Sequence, residues 1–183
     1  TSRRFVVPSA PGKRFSGDTK VTEMLYSCYN AAQNGGDFDS VFAMVKYRFD
    51  SIIAGLGLSL DLSAEYEHIK WAILHHAGRD YAASRGEYLN GMILAEYLGY
   101  DFIDPADYIK FCDDGSFDAE TTNGILSEEM KKHENGVIPG FYGSHPNGTI
   151  RTFSRGGSDI TGSIVARAVY ADLYENWTDV NGF

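Results

Sequence analysis

Apolar residues recur at helical spacing through the first half of the chain and then gather into short, uninterrupted runs. From Lys20 to Ala32 the apolar positions are Val21, Met24, Leu25, Cys28 and Tyr29, one stripe of an amphipathic helix. Gly35-Gly36 interrupts the pattern. A second stripe of Val41, Phe42, Val45, Phe49, Ile52 and Ile53 then continues to Gly55. Leu60-Asp61-Leu62-Ser63 offers helix caps ahead of Tyr66, Ile69, Ile73 and Leu74, and Gly78-Arg79-Asp80 separates that helix from a longer run, Tyr81 to Leu98. Gly86 inside this run costs about 1 kcal/mol against alanine, which calls for a packing or ligand reason.

Strand signals are shorter. Arg4 to Ser9, with Pro8 near its end, Tyr100 to Ile103 and Val137 to Phe141 read as short buried strands, and Asp104-Pro105 as a turn. Ala119 to Lys132 is compatible with a helix, and Gly143 to Gly148 has hairpin-turn chemistry with Thr149 to Phe153 as the returning arm. A helix-like run from Ile164 to Val169 and a strand-like one from Ala171 to Val180 close the chain. Short strands alternating with longer helices predict an α/β sandwich with ligands at the carboxyl ends of the strands. Four helical patterns between the first two strands add an inserted helical region to the simple doubly wound sheet.

Composition narrows the functions open to such a fold. At 183 residues the size is that of one domain, and the net charge of -9 makes nucleic acid and anionic membrane surfaces unlikely partners. No apolar run approaches the roughly 18 residues that span a bilayer. Cys28 and Cys112 lack metal-ligand spacing and read as two free thiols in a reducing cytoplasm. Both ends look cut. The chain opens within a few residues of a strand and stops just after another, so a fragment of a larger protein is the expectation.

Several site patterns are absent. His75-His76 has no partners at metal spacing, no Walker-type phosphate loop occurs, and Asp113-Asp114-Gly115 lacks the later ligands of a calcium loop. The informative stretch is Ser154-Arg155-Gly156-Gly157-Ser158-Asp159, ahead of the last helix. Its two glycines let backbone approach a ligand, Ser158 or Asp159 can cap the helix, and Arg155 presents a fork suited to a carboxylate or phosphate. Thr22, Glu87, Arg155, Ser158, Asp159 and Thr178-Asp179 all fall at strand-to-helix junctions. Together they offer a cation, anions and hydroxyls for a small zwitterion or a phosphate.

Longer motifs carry a resemblance. Val137-Ile138-Pro139-Gly140-Phe141-Tyr142-Gly143, then Phe153 to Asp159, then Trp177-Thr178-Asp179-Val180-Asn181-Gly182 resemble in order the VPGF-x-G strand, GRGGSD turn and TDVDG strand of aspartokinases. Ser84-Arg85-Gly86-Glu87 resembles that family's S-x-G-E helix start. Val6 to Ala10 with Lys20 to Leu25 resembles its second strand and the threonine helix after it. The resemblance implies an amino-acid kinase-type three-layer sandwich with a mainly parallel central sheet, truncated at both ends. Residues 1–183 would then be a partial catalytic domain, holding the aspartate-binding portion without the first strand, most of the nucleotide subdomain or the regulatory ACT domains.

The activity it implies is transfer of the ATP γ-phosphoryl group to the side-chain carboxylate of L-aspartate, with Mg²⁺, in a cytoplasmic biosynthetic enzyme. Carried over, Arg155 clamps a substrate carboxylate, Glu87 meets the α-amino group, and Thr22 and Ser158 hydrogen-bond the substrate. Asp159 organises the cationic residues at the phosphoryl site, Thr178 and Asp179 lie on the nucleotide side, and no residue is assigned to a metal. The sequence departs from the family at Ser154, where glycine is usual, at Asn181, where aspartate is usual, and in lacking the Lys-Phe-Gly-Gly-Ser-Ser segment that touches phosphates. These departures imply that residues 1–183 alone are incomplete for catalysis. They leave open a non-catalytic amino-acid-binding or sensing module, and a related kinase acting on another acid. Exposed sheet edges of a fragment would favour a homo-oligomer.

Overall fold

The computed structural model describes residues 4–154 and 156–177, and its centre is a parallel sheet. β1 (Phe5–Val6), β2 (Asp101–Phe102) and β3 (Gly136–Val137) lie in the order β1-β3-β2, with Gly136 paired to both Phe5 and Asp101. A side chain on Gly136 would lie 2.7 Å from Ile103 Cδ1 and 3.2 Å from Phe5 Cδ1, so the central strand needs glycine to accept both neighbours. The ladders are shorter than the apolar runs, and Phe5 and Val6 are half-buried rather than buried. Pro8 has no N–H to offer, yet its carbonyl still accepts from Gly140 N at 3.0 Å, which ties the ends of β1 and β3 together.

The predicted insertion is four helices: α1 (Val21–Asn34), α2 (Phe38–Leu56), α3 (Ser63–Leu74) and α4 (Arg79–Leu98). Gly35, Gly57 and Gly99 stop α1, α2 and α4 in the left-handed conformation that glycine adopts without strain. Val21, Leu25, Phe42, Val45, Phe49, Ile69, Ile73 and Leu89 form one continuous core among them. α4 is buried on most of its surface and lies against the sheet, where Tyr88 meets Phe102 edge-on. The next residue of that strand end, Ile103, enters a second core with Leu126, Ile138, Phe153 and Val165. Alternation along the strand therefore puts two helical layers on opposite faces, as a sandwich requires.

The other layer contains α5 (Pro105–Tyr108), α6 (Ala119–Met130), the antiparallel hairpin of β4 (Tyr142–Ser144) and β5 (Ile150–Thr152), and α7 (Gly157–Ala168). Asp104-Pro105 is the start of a one-turn helix rather than a bare turn: Asp104 Oδ1 accepts from Ala106 N at 2.9 Å, and proline suits the first helical position. Neither Ser158 nor Asp159 caps α7. Gly156, at φ 59°, is the N-cap, and both polar residues fall inside the first turn. No strand forms over residues 171–177, the described part of the run expected to be a strand. No helix among the described residues is long and apolar enough to cross a membrane.

Candidate functional site

Backbone from three elements meets where β1 and β3 end. Ala10, just beyond β1, packs on α4: a Cβ at Gly86 would lie 2.9 Å from Ala10 Cβ and 3.3 Å from Val21 Cγ1. Gly86 therefore has a packing reason, since it lets the loop and α1 seat against α4. The Asn90 amide donates to Ser9 O at 2.8 Å and fixes the same contact. On the other side, a Cβ at Gly140 would sit 2.6 Å from Ser158 Oγ, and one at Gly157 would sit 2.9 Å from Phe141 Cα. These two glycines let the end of β3 touch the N-terminal turn of α7 backbone to backbone.

Glu87 faces this junction and is 6% exposed. Its Oε2 is buried with no hydrogen-bond partner among the described residues. Burial pushes the carboxyl up from its ordinary 4.5 to about 7, although the Ala10 amide and the Arg85 charge both favour the ionised form. A buried carboxylate with one unused oxygen can accept a cationic donor such as an ammonium group. Across the junction, Ser158 brings a half-buried hydroxyl and the free amides of a helix start, which suit an anion. The two chemistries together fit a zwitterion.

Thr22 is half-buried on the first turn of α1, one residue after the Val21 that packs on Gly86. Asp159 is exposed, and its Oδ1 accepts from Asn176 Nδ2 at 3.2 Å while its carbonyl accepts from the Tyr174 hydroxyl at 3.4 Å. The structure thus brings Glu87 and Ser158 to one junction with Thr22 beside it, and sets Asp159 on its outer rim. Arg155, Thr178, Asp179 and Asn181 lie outside the described residues. Among the described residues no group of His, Cys, Asp and Glu is arranged to hold a metal ion.

Sequence reasoning missed three contributors. Phe141 has φ 84°, a costly conformation for an aromatic residue. Thr161 Oγ1 accepts from its N–H at 3.1 Å and Phe153 N donates to its carbonyl at 2.9 Å, which holds the strained residue in place. The adjacent Gly140 and opposite Gly157 were the only signal of this close approach. Arg85, 5% exposed, stacks its guanidinium on Tyr81, Tyr88 and Tyr142 at 4.6, 4.3 and 5.1 Å. Two of those hydroxyls reach onward, Tyr142 to Asp104 and Tyr88 to Glu65. This knot fixes the rotation of α4 and hence the direction of Glu87. The third is Arg48, from α2, which binds the loop that carries Ala10.

Comparison with known proteins gives a consistent picture. The model of the amino acid kinase family matches residues 6–183. Aspartokinase 3 of Bacillus subtilis is 33% identical over 98% of this chain and 43% of its own length. Aspartokinase of Pseudomonas aeruginosa is 50% identical over a shorter stretch, 25% of the chain. The crystal structure of Clostridium acetobutylicum aspartate kinase superposes with a TM-score of 0.95 at 50% identity, over 99% of this chain and 42% of that one. Escherichia coli aspartokinase III, in complex with lysine and aspartate, shares the fold with a TM-score of 0.75 at 21% identity. The chain spans less than half the length of the B. subtilis and C. acetobutylicum proteins it matches.

Proposed function

The chain belongs to the amino acid kinase family, and on that premise we propose that the protein it comes from phosphorylates the side-chain carboxylate of L-aspartate at the expense of ATP. The observation that carries this reading is Glu87, a buried carboxylate at the ends of β1 and β3 with one oxygen that has no partner among the described residues. The substrate ammonium satisfies that oxygen and draws Glu87 into its ionised form. Ser158 and Thr22 donate to the substrate carboxylates, and Arg155 supplies their counter-charge. The nucleophile is a carboxylate already ionised at pH 7, so the protein needs no general base. Its residues position that oxygen in line with the phosphoryl group and keep water away from it.

Mg²⁺ when bound neutralises charge on the transferring phosphoryl group. Such ions usually take one or two protein carboxylates plus substrate phosphates. Asp159, the exposed carboxylate at the start of α7, organises the cationic residues at the phosphoryl site, and Thr178 and Asp179 lie on the nucleotide side. The ATP requirement and the free thiols of Cys28 and Cys112 suit the cytoplasm.

The test is an aspartyl-hydroxamate assay on the protein at the length of its relatives, with ATP, Mg²⁺ and L-aspartate. Hydroxamate formed by wild type and lost in Arg155→Ala is the expected result. A folded protein that binds aspartate and forms no hydroxamate would instead be an amino-acid-binding module. Turnover that glutamate supports better than aspartate would move it to another branch of the family.

A further inference from the structure

The loop between β1 and α1 has neither helix nor strand, yet one side chain from a different element grips it at both ends. Arg48 lies on α2 in the same stripe as the core residues Val45 and Phe49, and is 2% exposed. Its guanidinium donates to Gly12 O at 2.9 Å and to Thr19 O at 3.1 Å, and it bonds Asp18 Oδ2 at 2.6 Å. Asp18, itself 8% exposed, also accepts from Arg14 through N, Nε and Nη2 at 3.0, 2.9 and 3.0 Å. Residues 12–19 are thereby closed into an arch, with Phe15 on its outside at 62% exposure.

Both feet of the arch enter the candidate site. Ala10, two residues before Gly12, lies against Gly86 and turns its amide to Glu87. Thr22 follows three residues after Thr19 on the first turn of α1. The arrangement is costly, because Arg48 Nε is buried without a partner among the described residues and Asp18 is a buried charge. An apolar side chain at 48 would fill the core without that cost, but it could not hold two carbonyls and a carboxylate at once. Arginine's rigid fork can.

We propose that Arg48 is a positioning residue for the amino-acid site: by holding Gly12, Asp18 and Thr19 together it sets Ala10 against Glu87 and fixes where α1 and Thr22 begin. It touches neither substrate nor reacting atoms. The inference rests on the aspartate reading for its kinetic consequence, though the clamp itself does not.

The experiment uses the protein at its relatives' length, with Arg48→Met, Arg48→Lys and the double variant Asp18→Asn/Arg48→Met. The double variant removes both charges, so it covers the case in which Arg48→Met alone fails to fold. Readouts are KM for aspartate, KM for ATP, kcat, melting temperature and amide exchange over residues 9–20. Misplacement of a binding group by about 1 Å can cost up to a hundredfold, so we expect Arg48→Met and the double variant to raise aspartate KM about tenfold. The ATP KM should stay within about twofold, and exchange at Ala10 should rise about tenfold or more. Arg48→Lys keeps the charge facing Asp18 but loses the fork, and should recover only part of the aspartate KM.

A lower melting temperature with unchanged aspartate KM would show a purely structural bond and overturn the proposal. So would equal rises in both KM values. A wild type without aspartate-dependent turnover would remove the proposed reaction alone. The clamp would then stand on faster Ala10 exchange in the variants and fall if that exchange were unchanged.

Discussion

Replacing Glu87 with glutamine tests the central electrostatic claim. The folded protein holds this carboxyl at about 7 against an ordinary 4.5, chiefly through burial. At about 1.4 kcal/mol for each pH unit, that difference corresponds to about 3 kcal/mol. The sign follows from proton uptake. Between pH 4.5 and 7 the native state keeps the proton and the unfolded state loses it, so Glu87 stabilises the fold at low pH. That contribution is lost as pH rises through 7. Wild type should therefore lose about 3 kcal/mol from this group between pH 4.5 and 8, whereas Glu87→Gln has no proton to lose.

The assay is urea unfolding of both proteins, without ligand, at half-unit steps from pH 4.5 to 8. The stability difference between them is plotted against pH. Other titrating groups, including Asp18, whose carboxyl two arginines hold well below its usual range, act in both proteins and cancel. The glutamine amide also needs acceptors in a place where Oε2 finds no partner among the described residues, a fixed cost of about 1–3 kcal/mol that offsets the curve without tilting it. In a chain of this size the tilt corresponds to about 6–12 °C in melting temperature. A difference curve flat to within about 0.5 kcal/mol would refute the claim that burial governs this carboxyl. A ligand corollary follows: since only the ionised form accepts an ammonium, aspartate should bind wild type about tenfold more weakly at pH 6 than at pH 8.

Three further outcomes are expected. Arg155→Lys should raise the aspartate KM roughly 5- to 150-fold, the equivalent of about 1–3 kcal/mol for a lost charge-assisted pair, and an unchanged aspartate dependence would show that Arg155 is not the clamp. Gly157→Ala places a methyl 2.6 Å from Phe141 Cδ2 and 2.9 Å from its Cα. Because backbone cannot swing aside as a side chain can, urea unfolding should show a loss of about 1–3 kcal/mol. Cys28 is fully buried and its thiol is pushed up to about 12 by burial. Mass spectrometry after iodoacetamide at pH 8 should therefore find Cys112 alkylated while Cys28 stays intact until the protein unfolds.

Helices of the insertion were legible because their apolar residues recur at a spacing that only a helix brings to one face, and α1 and α2 fall close to where that spacing placed them. Strand extent was not. An apolar run shows that a segment is buried, but ladder pairing depends on neighbours far along the chain, Asp101 with Gly136 and Phe5 with the same Gly136, and β1, β2 and β3 pair over two residues each. The cap of α7 was misread because Gly156 in the left-handed conformation takes the place that Ser158 or Asp159 could have filled. Phe141 could not be foreseen, since no sequence rule puts an aromatic residue at positive φ. Arg48 could have been, as a charge within the stripe of Val45, Phe49 and Ile52.

Glu87 came from a motif and not from periodicity, and α4 shows why. A helix buried on almost every side has no polar face to mark its function. What marks it is how unequally its two buried charges are partnered. Arg85 has three aromatic faces and the Ser84 hydroxyl, and two of its tyrosines pass the interaction on to carboxylates. Two residues later, at nearly the same burial, Glu87 has the amides of Ala10 and of its own residue to favour it and an oxygen, Oε2, with no hydrogen-bond partner among the described residues. Burial alone cannot account for that contrast, because the same helix supplies partners freely on its other side. That contrast is what the proposed aspartate reading uses, since the ammonium of an amino acid would be the partner that Glu87 Oε2 lacks among the described residues.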